Sequence, residues 1–304
     1  MVNTYTYKNV TWVDMESPTR DEIREVMKKY NIHPTAAEEL ILPSPRSKVD
    51  TYPDFIYLVL HFPAWKLSHQ KSTQEIDFVI CKNYIITTRY ETVDPLHKFA
   101  KMFEVNSILD RNALIGEHAG YMFYYMMREL YRSLEDELET VKDALEEIEK
   151  KTFTGQEREM VYEISKAARE LLDFKHATSL HEDVLETFSS LSKDFFGPEF
   201  ARYSGTIKSD FLKVHKGVQG VSESLHEIRE TNDALLEAKQ NKNIMTLTVI
   251  TFITAILGII VGLFAADFKH APIVGMPYDF WVLAGILVAI GVFFTAVFYH
   301  KKWL

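Results

Sequence analysis

The sequence predicts a membrane protein of mixed α+β class, with an N-terminal α/β domain, a long helical stalk and a C-terminal two-helix transmembrane hairpin. Three observations predict this fold. Two runs without a charged side chain, 244–264 and 281–299, lie near the end of the chain. Apolar residues recur at helical spacing before the first run, and short segments rich in β-branched and aromatic residues fill the first third.

Each uncharged run is long enough, at about 1.5 Å per residue, to cross a hydrocarbon core of roughly 30 Å. A buried helix pair of a soluble protein is the alternative, but such helices seldom continue so far without a charge.

Lys239 and Lys242 precede the first run, and the basic tail 300–304 follows the second. By the positive-inside tendency, both termini are cytoplasmic and the external loop 265–280 faces out of a multi-pass protein of the cell (inner) membrane.

Composition excludes several function classes. The formal net charge of −9 argues against nucleic acid as a partner, because phosphate binding needs a basic surface, and it is compatible with binding cations. The lone Cys81 excludes an intrachain disulfide and suits a reducing compartment. The sequence has no nucleophile elbow, phosphate loop or CxxC motif, so we expect neither an enzyme nor an organic cofactor.

Strand and helix signals alternate in the N-terminal domain, 1–115. Strands are predicted at 4–7, 10–13, 55–62, 75–81 and 84–89, and Lys82-Asn83 forms a turn between the last two. Helices are expected to start at Ser17-Pro18 and at Asp94-Pro95, since each pair combines a capping residue with a proline in the first turn, and a short helix is expected to open at His33-Pro34. Interleaved strands and helices are typical of a small α/β or α+β domain.

Long helices follow, and 116–200 is expected to form acidic antiparallel helices. A seam of apolar residues alternates steps of four and three along the first of them, at Leu134, Leu138, Val141, Leu145 and Ile148, while its other faces are acidic. Thr154-Gly155 ends this helix, and a second is predicted over 157–191. His176 and His181 are expected at its surface, because residues five apart do not share a helical face.

The stalk, 201–243, carries a second seam with the same spacing. Because no proline occurs between Pro198 and Pro272, one helix is predicted over 203–264, roughly 90 Å long, through transmembrane helix 1 (244–264). Transmembrane helix 2 is 281–299. Two spans from one chain cannot enclose a polar path, so any transport requires an oligomer of this chain within the lipid bilayer.

The order and spacing of these features resemble the CorA-type divalent-cation channels. The residues that carry the resemblance extend over the whole chain: Ile32-His33-Pro34 with Glu38-Glu39, the strand region from Lys48-Val49 to Phe62, Lys82-Asn83-Tyr84-Ile85-Ile86-Thr87, Asp94-Pro95, Asn241, Leu247-Thr248, Gly262 and Lys301-Lys302-Trp303-Leu304. The resemblance implies a homopentamer that carries divalent metal cations, Mg²⁺ first among them, as both transported and regulatory ions.

One departure from the family concerns its signature, Gly-Met-Asn after an aromatic residue at the outer end of the first span. Here Ala265-Ala266-Asp267 follow Phe264, and Gly275-Met276-Pro277 lies too late in the loop to replace the signature. Five copies of Asp267 would form a ring of carboxylates, as cation channels use, and five close carboxylates cannot all ionise freely. We therefore expect cation preference to be kept, Mg²⁺ selectivity to change and ion binding to depend on pH.

The resemblance also implies two sets of functional residues. The pore lining is predicted on one face of the first span, at Asn241, Ile244, Leu247, Thr248, Thr251, Ala255, Gly258 and Gly262. The alternative is that the threonines bond to their own helix and the glycines form a helix contact. A regulatory metal site is predicted between Asp94 of one copy and Glu230 or Asp233 on the stalk of its neighbour. Asp94 also suits a plain role at a helix start.

The sequence therefore predicts a homopentameric channel for divalent cations, with flux along the first span and gating by cytoplasmic metal. Two alternatives remain open: a non-conducting, membrane-anchored cation sensor or scaffold, and a transporter of the same architecture that selects Zn²⁺, Co²⁺ or Ni²⁺.

Overall fold

The computed structural model describes residues 1–63, 73–108, 118–265 and 278–301. The chain divides into two compact units. The first comprises Met1–Phe153 and Glu159–Ile228, and the second comprises Thr154–Arg158 and Arg229–Leu304.

Six strands of the described residues form one sheet in the first unit, in the order β1-β2-β6-β5-β4-β3. They are β1 (Val2–Tyr7), β2 (Val10–Glu16), β3 (Lys48–Thr51), β4 (Ile56–Pro63), β5 (Thr73–Ile80) and β6 (Tyr84–Arg89). β2 and β6 run parallel, and the other neighbours are antiparallel. The five strands predicted from residue patterns are confirmed, as is the β5–β6 turn. The four-residue β3 was foreseen only through the family resemblance, because it is too short for an alternating pattern.

The described helices alternate with these strands and then take over the chain. They are α1 (Arg20–Tyr30), α2 (Pro34–Glu39), α3 (Asp94–Ile108), α4 (Ala119–Phe153), α5 (Glu157–Thr178), α6 (His181–Phe196), α7 (Ala201–Ala265) and α8 (Asp279–His300), with a 3-10 turn at Pro198–Phe200. The single helix predicted over 203–264 is confirmed by α7, which has 65 residues. The helix predicted over 281–299 is confirmed by α8.

Both faces of the sheet are covered by apolar side chains. On one face, Trp12, Leu58 and Phe78 belong to the core that includes the apolar residues of α3, α4, α6 and α7. On the other face, Tyr57 and Val79 pack with the buried residues of α1 and α2. This double burial explains why β4 and β5 have nearly continuous apolar sequences instead of an alternating pattern.

Two predicted helix boundaries need correction. Helix α1 is capped by Thr19 and not by Ser17: its hydroxyl accepts from the backbone N–H of Glu22, whose carboxylate accepts from the N–H of Thr19. The helix predicted over 157–191 is wrong, because α5 ends at Thr178 and α6 begins at His181. Thr178 and Ser179 donate their hydroxyls to the carbonyls of Phe174 and His176. Such side-chain bonds near a helix end compete with continuation of the helix.

The surface position expected for His181 is also wrong, since its side chain is fully buried. Its Nδ1 lies 3.0 Å from the hydroxyl of Tyr131 in α4, and its Nε2 lies 2.7 Å from the carbonyl oxygen of His61 in β4. Removal from water disfavours the imidazolium, so burial lowers the pKa of His181 to about 4. A neutral histidine therefore joins α4, α6 and the sheet in the core.

The predicted seams of α4 and α7 are buried in the first unit, from Leu134 to Ile148 and from Ile207 to Ile228. Gly217 of α7 lies against Leu138 of α4: a Cβ atom added there would stand 2.6 Å from Cδ2 of Leu138. At Gly220, three residues further on, an added Cβ would meet no atom within 4 Å. The two glycines thus differ in whether a side chain fits.

Gly217→Ala is expected to destabilise the first unit by about 1–3 kcal/mol, the usual range for overpacking a well-packed core. Gly220→Ala is the matched control and should stabilise by roughly 0.5–1 kcal/mol, because alanine favours the helix without a clash. Urea unfolding of the full chain in detergent measures both. Equal midpoints for the two variants would show that the helices do not pack as described here.

Stability should fall as the pH falls from about 6.5 towards 4, because the unfolded chain protonates His181 while the folded chain keeps it neutral. The expected slope is about 1.4 kcal/mol per pH unit from this group. His181→Gln should lower the unfolding midpoint at pH 8 and flatten this slope, whereas His176→Gln, which changes an exposed histidine, should leave both unchanged. A parent slope retained in His181→Gln would contradict the assignment.

Candidate ion pathway

All eight residues of the predicted pore lining are exposed within the chain. Leu247 is 65% exposed and Ile244 is 53% exposed, although both are large apolar residues. At about 100° per residue, the eight side chains lie on one side of α7. This side is free within one chain to face lipid, a central path or another copy.

The opposite side of α7 is less exposed, and α8 contacts the helix beside it. Val249 is only 2% exposed, and Ile253, Ile256 and Ile260 on the same side are partly covered. At the edge of this contact, the ring of Phe252 meets Phe294 and Phe298 of α8 edge-on, with centroid distances of 5.9 and 6.0 Å. Helix α8 thus packs away from the predicted pore lining.

The threonines of α7 bond to their own helix, as the alternative reading expected. Thr248 and Thr251 donate their hydroxyls to the carbonyls of Ile244 and Leu247, both at 2.8 Å. A hydroxyl whose hydrogen is already used offers only its lone pairs to a ligand. These two hydrogen bonds are compatible with a pore lining, because water bound to a cation donates hydrogen bonds to the free lone pairs of such hydroxyl oxygens.

Among the residues that the structure describes, Gly258 and Gly262 make no close helix contact, since a Cβ added at either would meet no atom within 4 Å. A glycine contact of the GxxxG kind with α8 is therefore absent at these two positions.

The predicted selectivity ring is described only at its first residue. Ala265 is the last residue of α7, whereas Ala266 and Asp267 lie outside the described residues. The prediction that Asp267 replaces the family's asparagine stays a prediction.

The predicted regulatory residues fall in different units. Asp94 is half-buried in the first turn of α3 in the first unit, and Glu230 and Asp233 are exposed on α7 in the second. Over the ranges that the structure describes, no three or more His, Cys, Asp or Glu side chains group to hold a metal ion. A site between two copies stays a prediction.

One contact in the second unit had no signal in the sequence. Lys239 of α7 donates to the carboxylate of Glu157, at 3.1 Å, and to the carbonyl of Gly155, at 3.4 Å. Hydrogen bonds from its own backbone and from Lys239 lower the pKa of Glu157. This contact joins residues far apart in sequence, so no periodic pattern indicates it.

Both apolar helices have the length and composition of membrane spans. Only 6% of the most apolar window of α7 and 0% of that of α8 are buried, whereas a core helix of a soluble protein would be mostly buried. An α/β domain, a long helix that continues as a span, and a second span define a class of two-span membrane proteins.

The comparisons with known proteins place the chain within this class. The profile of the family described as "CorA-like Mg²⁺ transporter protein" matches residues 7–301, and the chain therefore belongs to the CorA family. This is a family of transporters and not of enzymes.

Relatives and a solved structure agree over nearly the whole length. The cobalt/magnesium transport protein CorA of Methanocaldococcus jannaschii is 22% identical over 96% of this chain and 91% of its own. The protein of the same name from Thermotoga maritima is 21% identical, over 97% and 83%. The complete structure of the M. jannaschii CorA magnesium transporter aligns with a TM-score of 0.83 at 21% identity, covering 99% of this chain and 94% of that one.

Proposed function

We propose that the chain forms a homopentameric channel in the inner membrane, with both termini in the cytoplasm. It passes divalent metal cations down their electrochemical gradient, Mg²⁺ first, along a path lined by the first span of each copy. Membership of the CorA family and the cobalt/magnesium names of the two relatives support this proposal.

The exposed side of α7 is the observation that carries the proposal. Eight exposed residues that the resemblance assigns to a pore lie opposite the buried Val249 and the partly covered residues of α7. If α7 of each copy turns this side inwards, α8 forms an outer layer towards lipid. A path between copies then exists without moving α8.

The exposed side of α7 provides an apolar part and a polar part of the proposed path. Ile244 and Leu247 provide an apolar constriction that closes by losing its water, and the hydroxyl oxygens of Thr248 and Thr251 accept hydrogen bonds from a hydrated ion. Mg²⁺ dehydrates reluctantly, so acceptors for its water shell suit it. Asp267 adds carboxylates at the outer end, which attract cations and can bind metals directly.

A carboxylate at Asp267, in place of the family's amide, makes a second candidate ion worth testing. Both named relatives are cobalt/magnesium transport proteins, and a carboxylate in place of an amide changes how a metal is held. The same channel with a preference for Co²⁺, Zn²⁺ or Ni²⁺ is therefore the alternative, and a cation sensor without flux is the outcome if no ion passes.

Asp267→Asn should raise the ratio of Mg²⁺ to Co²⁺ flux by roughly tenfold, the equivalent of about 1.4 kcal/mol in ion binding, and should remove the pH dependence of flux. The measurement is dye-reported uptake into proteoliposomes of the full chain, repeated for Mg²⁺, Co²⁺, Zn²⁺ and Ni²⁺. Asp143→Asn changes an exposed carboxylate of α4 and is the matched control.

The same assay decides between the candidates. Asp267→Asn flux identical to that of the parent for every ion and pH would refute the carboxylate ring. A folded oligomer without flux for any of the four ions would replace the channel with the sensor.

Regulation is proposed at Asp94 with Glu230 or Asp233 of a neighbouring copy, where a cation would hold the stalks together and close the path. Asp94→Asn should therefore weaken inhibition of flux by Mg²⁺ added on the cytoplasmic side by about tenfold, the size of a lost charged ligand. Asp183→Asn, which changes an exposed carboxylate of α6, is the control. An unchanged inhibition curve in Asp94→Asn would remove Asp94 from the regulatory site.

A further inference from the structure

The loop between α4 and α5, residues 154–156, is tied to α7 just before the first span. Lys239 holds it through Gly155 and Glu157, and the Glu157 side chain is only 11% exposed in this contact. Lys239 precedes Ile244, the first residue of the uncharged run, by little more than one helical turn. At about 1.5 Å per residue, the contact lies roughly 7 Å from the hydrocarbon boundary.

This distance is the thickness of a headgroup layer. A bilayer with its headgroups is about 40–45 Å thick around a core of about 30 Å, which leaves roughly 5–8 Å on each side. A segment held to α7 at Lys239 therefore lies at headgroup depth.

The side chains next to the loop suit this depth. Phe153, the last residue of α4, is 65% exposed, and Lys150 and Arg158 are exposed on either side of the loop. Aromatic rings settle at the membrane interface, and long cationic side chains pair with lipid phosphates. The exposed carboxylates of Glu149 and Glu159 offset the positive charges of Lys150 and Arg158. We therefore expect Phe153 to contribute most of the attraction of this segment to the membrane interface.

We propose that loop 154–156, with Phe153 at its edge, docks on the phospholipid headgroup layer of the leaflet that α7 enters. Lys239 sets the depth of the loop, and Phe153 anchors it in the interface. The occupant of this surface is lipid and not a second copy of the chain.

A spin label on the loop tests the proposal in the full chain. Gln156→Cys is made in a Cys81→Ser background, because Cys81 is the only cysteine of the sequence, and the protein is reconstituted in phosphatidylcholine and phosphatidylglycerol vesicles. The label should be more accessible to lipid-soluble oxygen than to a water-soluble nickel complex. A label at Asp143→Cys, exposed within α4, should show the reverse.

Two variants identify the anchor. Phe153→Ser should raise the ratio of water-exposed to membrane-bound Gln156→Cys label by roughly tenfold. This is the scale expected from the burial of one aromatic side chain. Lys239→Gln should do the same by releasing the loop. Lys242→Gln, an exposed lysine on the same helix before the span, is its control and should leave the label in the interface.

The result that would overturn the proposal is equally direct. A label at 156 that is as water-accessible as the label at 143, and unmoved by Phe153→Ser, would place the loop outside the interface. Dipolar broadening between labels of different copies, without oxygen contact, would assign the surface to a second copy. Flux by the channel enters neither result, so the outcome is independent of the ion that is carried.

Discussion

The backbone of a helix that enters hydrocarbon must satisfy every hydrogen bond within itself, and the rest of this structure depends on how α7 meets that constraint. Helix α7 runs from Ala201 to Ala265 as one element. No proline interrupts it. It therefore takes its polar backbone into the bilayer already paired, and only the side chains change between water and lipid.

The first unit gives the soluble part of α7 a fixed partner. Its seam packs with that of α4 in the core that also covers one face of the sheet. The sheet itself is pinned near its parallel pair, where buried Arg89 donates to Asp14 at 3.0 Å and Thr87 donates to the same carboxylate at 2.8 Å. Because Asp14 lies opposite Thr87 in the pairing of β2 with β6, a slip of one residue between these strands would break the buried bonds.

Periodic features of the sequence were the reliable ones. The seams of α4 and α7, the uncharged runs and the strand patterns each repeat a local rule many times, and the structure has them where they were predicted. Contacts between distant residues were not accessible in this way. His181 is buried because Tyr131 and the His61 carbonyl meet it, and Lys239 holds Glu157 across the chain. Neither pairing leaves a local pattern.

For the candidate ion pathway too, sequence reasoning reaches the local features and not the long-range ones. Exposure of the predicted face of α7 follows from helical spacing and from the position of α8, so sequence reasoning could place it. The proposed selectivity residue, Asp267, lies outside the described residues, and the proposed path also depends on how copies come together. Residue spacing along one chain does not contain that information.

The glycine at 217 has a mechanical consequence. If α7 slid along α4 by one turn, Lys213 or Val221 would take the place of Gly217 opposite Leu138. Both residues have a side chain where Gly217 leaves space for the leucine methyl group. A slip of α7 past α4 by one turn is thus blocked in both directions. Within the first unit, α7 is therefore held lengthwise against α4 by the shape of this one contact as well as by the apolar seam.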